Sequence, residues 1–304
     1  KVHPEDLETI MASIFEARQN TSVNRWSGQY RFQKADGNYA SVRENTIILR
    51  DPSGSPIRMV GALQDITEER KTQLLLEEKT KLISTTSEIT QSFLEVDNWE
   101  EKINESLQHI GKATRADRAY LLRVFADAEG KLFASQTNEW TNGTVSSELE
   151  NPDYQYIPLE DHPEFLAQIN ERKPFMALTS QLSGLTRQIL EAQGIKSVLN
   201  VPIFVKNSFF GYIGLDDCHQ ERTWSEDESS FLHAVTTNLA FVIEKKINLD
   251  NHREALAARN SLLESINDSF YALDKNYKVT YWNNILEKRT GVNRNQIIGK
   301  SIWD

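Results

Sequence analysis

Cysteine is almost absent from the sequence, and its scarcity excludes several kinds of site. Cys218 is the single cysteine among 304 residues, so neither an internal disulfide framework nor a zinc site built from several thiolates is possible. Long apolar runs are missing too: the longest have only a few residues, against the roughly 20 that a membrane-spanning helix needs. No signal-peptide pattern opens the chain. We therefore expect a cytoplasmic protein without a membrane span.

Basic residues are too few to balance the acidic ones. Lysine and arginine number 34 and aspartate and glutamate 44, which gives a net charge of −10. Such a surface repels nucleic-acid phosphates and anionic lipids, so neither nucleic acid nor a membrane surface is an expected partner. Hydrophobic residues at 39% and charged residues at 26% are typical of globular proteins with sizeable cores. The length allows about two or three domains.

The first part of the chain has the pattern of a helix followed by three strands. His3-Pro4-Glu5-Asp6 places a proline and two acids in a helical first turn, where both are well tolerated. Three segments rich in aromatic and β-branched residues follow, at 26–34, 39–50 and 55–65. Turn-forming residues separate them, so the pattern predicts a three-stranded antiparallel meander.

Two long helices are predicted on either side of a larger central region. The first extends from Thr67 to about residue 94, and the second begins at a capping box of Ser225 and Glu228. Both carry apolar residues at intervals of seven. These residues are Leu75, Leu82 and Ile89 in the first helix, and Val235, Val242, Leu249, Leu256 and Leu263 in the second. This spacing predicts coiled-coil-like pairing in a homodimer, with parallel and antiparallel arrangements both open.

The central region has the pattern of an α+β domain. Asn98 and Glu101 are spaced as a capping box for a helix to about residue 113. Strands are predicted at 119–125, 132–140, 197–205 and 209–215, and short helices at 163–170 and 184–193. After the second long helix, two short strands and a helix are predicted within 267–304.

Several motifs resemble those of known sensory domains. Gly61-Ala62-Leu63-Gln64-Asp65-Ile66-Thr67-Glu68-Glu69-Arg70 resembles the end of a PAS domain with its exit helix. Asn267-Asp268-Ser269-Phe270-Tyr271-Ala272-Leu273-Asp274 resembles the beginning of another. Between them, Ser197-Val198-Leu199-Asn200-Val201-Pro202-Ile203 and Phe210-Gly211-Tyr212-Ile213-Gly214-Leu215-Asp216 resemble two strands of a GAF domain.

These resemblances imply an α+β fold with a GAF domain between partial PAS domains. The implied boundaries are a PAS half at 1–66, a connector helix at 67–96, a GAF domain at 97–245, a second connector at 246–266 and a PAS half at 267–304. Because the halves are complementary, we expect them to pair with each other or with another copy, unless they are incomplete. The GAF domain is expected to have an antiparallel sheet with flanking helices.

The domain order is similar to the input region of a sensor histidine kinase or a related receptor. That resemblance implies a signal-sensing and relay module, which binds a small ligand or partner and transmits through its helical connectors. No kinase motif occurs in the sequence, so we expect no enzymatic activity and no catalytic residue here. We expect a piece of a longer protein, a histidine kinase with a downstream signalling domain.

A ligand pocket is predicted in the GAF domain, although the same residues suit a plain core. Aromatic side chains around a few polar groups are typical of small-molecule sites. The seven candidate lining residues are Trp140, Tyr154, Tyr156, Leu199, Asn200, Tyr212 and Asp216.

Cys218 and His219 follow the second GAF strand and raise a different hypothesis. A thiolate and an imidazole can hold haem iron or react with an electrophile, so a haem or redox sensor is one alternative, and a ligand-free dimerisation scaffold is another. Covalent bilin is not expected, since no cysteine precedes the strand at 197–203. Photoactive flavin is not expected either, because Ile302 stands where that PAS subfamily has cysteine. No metal-ligand spacing emerges among the histidines.

Overall fold

In the computed structural model, which describes residues 1–265 and 267–303, the chain forms two units, Lys1–Ser84 and Thr85–Asp304. The elements of the first unit are helix α1 (Pro4–Gln19) and strands β1 (Arg25–Gln33), β2 (Tyr39–Arg50) and β3 (Pro56–Asp65). Helix α2 (Thr67–Leu94) begins in the first unit and ends in the second. The predicted helix, meander and exit helix are all present.

The first unit is an antiparallel sheet with α1 against it. The strand order is β1-β2-β3, and α1 packs on β1. The helix begins behind His3, whose ring Nδ1 accepts a hydrogen bond from the Glu5 N–H, with proline in the first turn. The buried side chains of this small core are Ile10, Trp26, Tyr30, Ala40 and Val42.

The second unit contains a six-stranded antiparallel sheet. Its elements before the connector are α3 (Ile103–Thr114), β4 (Arg118–Ala126), β5 (Leu132–Thr141), β6 (Ile157–Pro158), α4 (Pro163–Asn170), β7 (Phe175–Leu178), α5 (Gly184–Ala192), β8 (Ser197–Val205) and β9 (Ser208–Asp217). The strand order is β6-β5-β4-β9-β8-β7. Helix α6 (Glu226–Glu264) packs on β8, and α3 packs on β5 and β4. This is the predicted GAF architecture.

Two features of the second unit differ from the sequence prediction. Asn98 caps only a short 3₁₀ turn, Trp99–Glu101, by accepting a hydrogen bond from the Glu100 N–H, and α3 begins later, behind Lys102. The predicted capping box of Asn98 and Glu101 was therefore wrong, because the chain turns again before the helix starts. Strands β6 and β7 were not predicted, since two and four residues are too few to show a period.

Helix α6 is one uninterrupted helix of 39 residues. The Ser225 hydroxyl accepts from the Glu228 N–H, and the Glu228 carboxylate accepts from the Ser225 N–H, which confirms the predicted capping box. Within the described residues, no helix combines the length and apolarity needed to cross a membrane. The predicted end of this connector, Ile266, lies outside the described residues.

The last elements form a small two-stranded sheet with two short helices. They are β10 (Tyr271–Leu273), β11 (Val279–Trp282), α7 (Asn284–Thr290) and α8 (Arg294–Ile297). Strands β10 and β11 pair with each other in antiparallel fashion, as the sequence pattern indicates. The expected pairing of the two PAS halves, with each other or with another copy, stays a prediction, as do the domain boundaries.

Candidate ligand cavity in the central domain

A cavity of about 80 Å³ lies within the second unit, between the six-stranded sheet and helices α4 and α5. That volume holds several water molecules and is smaller than the pockets that take drug-sized ligands. Its walls are largely apolar. The apolar lining residues are Leu122, Ile157, Leu159, Phe165, Phe175, Ile189, Leu190, Ile195 and Val198. The cavity therefore suits a compact molecule with an apolar body.

Side chains alternate between the two faces along the neighbouring strands β4, β9 and β8, and one set of polar side chains therefore points into this cavity. Tyr120 of β4 and Asn200 of β8 both lie opposite Gly214 of β9 in the strand register, and successive residues of a strand point to opposite faces. A Cβ added at Gly214 would lie 2.3 Å from the Asn200 Oδ1 atom and 2.3 Å from the Tyr120 ring. Glycine at position 214 thus lets the two side chains meet over the middle strand.

A buried ion pair closes one end of the cavity. Arg118 of β4 lies directly opposite Asp216 of β9, and its Nη1 atom is 3.1 Å from the Asp216 Oδ2 atom. The side chains are only 3% and 1% exposed. The guanidinium also lies 3.3 Å from the Glu139 carboxylate and donates to the Ser146 carbonyl oxygen at 3.0 Å. Buried charges of this kind persist only when they are paired and hydrogen-bonded.

Burial controls the protonation of the groups at this end. It raises the pKa of Asp216 to about 7, although the neighbouring Arg118 guanidinium and the Tyr120 hydroxyl oppose the rise. Burial also raises the pKa of Tyr120, Tyr154 and Tyr212, with the Asp216 carboxylate adding to the effect. The three phenols are therefore neutral at physiological pH, and Asp216 titrates near neutrality.

The opposite wall carries polar groups from the helices. The Nδ1 atom of His162, just before α4, is 2.9 Å from the Thr186 hydroxyl of α5. Burial lowers the pKa of His162, so its ring is neutral. Gln193, directly after α5, has a buried Oε1 atom to which no group of the described residues donates a hydrogen bond. A buried acceptor left without a donor is unfavourable by a few kcal/mol, roughly 1–3.

The structure brings four of the seven predicted pocket residues together. Tyr154, Asn200, Tyr212 and Asp216 line the cavity. Trp140 lies on the other face of the sheet, because its ring packs where a Cβ on Gly111 of α3 would be. Leu199 neighbours Asn200 on β8 and therefore points to the opposite face. Tyr156 is 55% exposed and stacks on Phe133 outside the cavity.

Sequence reasoning missed several lining groups. They are Arg118, Tyr120, Gln136, His162, Thr186 and Gln193. One signal was available for Arg118: a charged residue that opens an apolar strand, with Tyr120 two positions later on the same face. No comparable signal marks His162, Thr186 or Gln193, because their approach depends on how α4 and α5 pack over the sheet.

Cys218 and His219 are not among the residues that line the cavity. The Cys218 N–H donates to the Asp117 Oδ2 atom at 2.7 Å, and the His219 Nδ1 atom lies 2.8 Å from the same oxygen. Burial raises the pKa of the Cys218 thiol to about 12, which disfavours the thiolate that haem iron or an electrophile requires. The haem or redox alternative stays a prediction, tested by a Soret band that Cys218→Ala abolishes.

One cluster has the spacing that a metal site requires. Its possible ligand atoms, one each from Asp117, Asp217 and His219, lie within 4.8 Å of one another. Their carboxylates, however, already accept hydrogen bonds from the chain. Asp117 accepts from the Cys218 N–H and from the Asn142 side chain, and Asp217 accepts from the N–H groups of His219 and Gln220. The cluster therefore stabilises the turn that follows β9.

Family comparisons agree with the architecture. A GAF domain model matches residues 98–243, a PAS fold model matches residues 1–63, and a PAS domain model matches residues 267–304. A curated relative, the methanogenesis regulatory histidine kinase FilI of Methanothrix harundinacea (strain 6Ac), is 35% identical over 192 residues. The alignment covers 63% of this chain but only 22% of the relative.

Solved GAF domains of photoreceptors are among the structures to which this chain is similar. A phycocyanobilin-bound GAF domain from a cyanobacterial phytochrome is 19% identical, with a TM-score of 0.46 over 58% of this chain and 97% of that one. The GAF domain of Thermosynechococcus elongatus PixJ is 14% identical, with a TM-score of 0.43 over 59% of this chain and 96% of that one. Likeness at this level carries no information about a bound group in this chain.

Three family models in sequence order, the six-stranded sheet of the second unit and the two long helices agree with one another. The chain is a sensory region of signal transduction in which a GAF domain stands between two PAS segments.

Proposed function

We propose that this chain is the cytoplasmic input region of a sensor histidine kinase, in which a small ligand in the GAF cavity changes the state of helix α6. One observation carries the proposal: strand β8 lies between the cavity and the helix. Asn200 and Val198 line the cavity, while α6 packs on β8. Because neighbouring strand residues point to opposite faces, a displacement on the cavity face also moves the helix face.

Helix α6 can transmit such a displacement beyond the domain, because it continues without a break from the sheet into an exposed segment. Val235 and Val242 are buried in the second unit, whereas Leu249 and Leu256, later in the same column, are 46% and 37% exposed. An exposed apolar column on a continuous helix favours pairing with a second copy. A ligand shifts such a two-state pairing only by its difference in affinity for the two states, and a few kcal/mol suffice.

The enzymatic output belongs, in this proposal, to another part of the parent protein. The relative that supports it is named a histidine kinase, and this chain aligns with 22% of its length. The sequence of the present chain carries no kinase motif. The chain itself therefore binds and relays without catalysing a reaction, and a downstream signalling domain is its partner along the chain.

Native mass spectrometry of the full chain purified from its source tests the proposal. We expect a dimer that retains a small molecule, and a melting temperature that falls when the molecule is dialysed away. The Gln193→Trp variant, which fills the cavity, should lose the molecule, while Tyr156→Trp outside the cavity should keep it. A dimer that never carries a small molecule would instead support the ligand-free dimerisation scaffold.

A further inference from the structure

The charge of the cavity restricts the class of ligand that it accepts. Among the described residues that line the cavity, Arg118 carries the only guanidinium, and both of its Nη atoms are already engaged. The Nη1 atom pairs with Asp216, and the Nη2 atom donates to the Ser146 carbonyl oxygen. The Nε atom lies 3.3 Å from the Glu139 carboxylate but makes no hydrogen bond among the described residues. A carboxylate or phosphate ligand would need two free parallel N–H groups for a bidentate contact. Arg118 has only its Nε–H without a hydrogen-bond partner and therefore offers no such pair.

Carboxylates outnumber the cation at this end of the cavity. The Asp216 and Glu139 side chains are both 1% exposed, and Glu148 lies 3.7 Å from the same guanidinium. His162 is neutral because burial lowers its pKa, and the phenols of Tyr120, Tyr154 and Tyr212 are neutral too. Above the pKa of Asp216, three carboxylates of the described residues thus surround one guanidinium, and of these four groups Asp216 and Arg118 line the cavity itself. In a poorly solvated site an excess negative charge repels anions and attracts cations.

Hydrogen-bonding capacity points in the same direction. The Tyr120 hydroxyl lies 3.1 Å from both the Asn200 Oδ1 atom and the Asp216 Oδ1 atom, yet a phenol has one proton to donate. Only one of these two acceptors can therefore receive the phenol proton at a time. Across the cavity, the buried Gln193 Oε1 atom has no donor among the described residues. Acceptors at both ends of the cavity thus have room for a donor from a ligand.

We propose that the cavity binds a small organic cation, an amine with a compact apolar body, and discriminates against carboxylates and phosphates. This assignment rests on the proposed function, since it names the ligand class of the same site. The ammonium group would donate to Asp216 and Asn200, and the apolar body would contact the walls near Phe165 and Val198. A donor at the far end of a longer ligand would satisfy Gln193.

Three probes with the same branched body test the charge preference: isobutylamine, isobutanol and isobutyrate. Each is titrated at pH 8 into the full chain, and its dissociation constant is measured by ligand-observed NMR. We expect isobutylamine to bind tightest and isobutyrate weakest, with a separation of at least about tenfold, the equivalent of one charge-assisted contact. Asp216→Asn should abolish the preference for isobutylamine over isobutanol. Tyr156→Phe, outside the cavity, is the matched control.

The outcomes separate the ligand class from the proposed function. Tighter binding of isobutyrate or isobutanol overturns the cation assignment and leaves the cavity as a ligand site. Binding of none of the three, or binding that neither Asp216→Asn nor the cavity-filling Gln193→Trp changes, overturns both. If Asp216→Asn fails to fold, as circular dichroism would show, the order of the three constants in the unaltered chain decides alone.

Discussion

Arg118 and Asp216 face each other across adjacent antiparallel strands and form an ion pair of 3.1 Å in the interior of the GAF domain. The pair joins the two central strands of the six-stranded sheet at the end of the cavity. Removing one partner of such a pair leaves a buried charge without compensation, typically at a cost of about 3–5 kcal/mol. The same two residues therefore serve the fold and set the charge that a ligand meets.

Asp216 should make the stability of the domain depend on pH. Its pKa of about 7 lies above the ordinary value of 3.8, so the folded chain keeps a proton that the unfolded chain has released. The free energy of unfolding should therefore fall as pH rises from about 4 to 7, by at most about 1.4 kcal/mol per pH unit.

Urea unfolding at several pH values checks this, with Asp216→Asn as the comparison. Arg118, Glu139 and Tyr120 are present in both proteins, so the difference between the two unfolding free energies isolates Asp216. The unaltered chain should lose stability relative to the variant between pH 5 and pH 8. A constant difference over that range would show that Asp216 has an ordinary pKa.

Gly214→Ala should destabilise the domain, because the added Cβ would lie 2.3 Å from the Tyr120 ring and from the Asn200 side chain. Overpacking of this kind costs about 1–3 kcal/mol. Urea unfolding measures the loss, and the double variant Gly214→Ala with Tyr120→Leu should recover part of it. An alanine variant as stable as the parent would contradict the close approach over β9.

Glu264 should hold the end of α6 to the second PAS segment. Its carboxylate accepts hydrogen bonds from the Asn284 N–H at 2.9 Å, the Arg294 guanidinium at 2.8 Å and the Tyr281 hydroxyl at 3.1 Å. Glu264→Ala should speed hydrogen exchange of amides in 279–298 several-fold. The variant lacks these three bonds, so local opening of the segment costs less free energy. Glu254→Ala, on an exposed turn of the same helix, should leave it unchanged. Equal exchange in both variants would show that Glu264 does not hold this segment to α6.

The exposed column of α6 should form the dimer. Leu249→Glu with Leu256→Glu places like charges opposite each other in a paired helix, so sedimentation should show at least a tenfold weaker dimer, or roughly 1.4 kcal/mol. Leu262→Glu is the control, since Leu262 is exposed but lies off the column of sevens. A dimer that the double substitution weakens no more than the control does would place the interface elsewhere.

The elements that the sequence predicts best are those with a strong local signal. Helix α4 begins at Pro163, and β8 ends before Lys206 and Asn207, both of which adopt positive φ. The cavity was less accessible to sequence reasoning. Asn200 and Asp216 were found through the strands that carry them, whereas Gln193 and His162 reach the cavity only through the packing of α4 and α5. Trp140 was assigned to the wall by its aromatic character, although its register partner Ala119 places it against α3.

Hydrogen exchange of α6 with and without isobutylamine tests whether the cavity and the helix are coupled through β8. We expect slower exchange not only at the cavity but also along α6 at residues 245–256, beyond the sheet, and no such change in Asp216→Asn. Protection confined to the residues that line the cavity, with α6 unchanged beyond the domain, would show that ligand binding does not reach the helix.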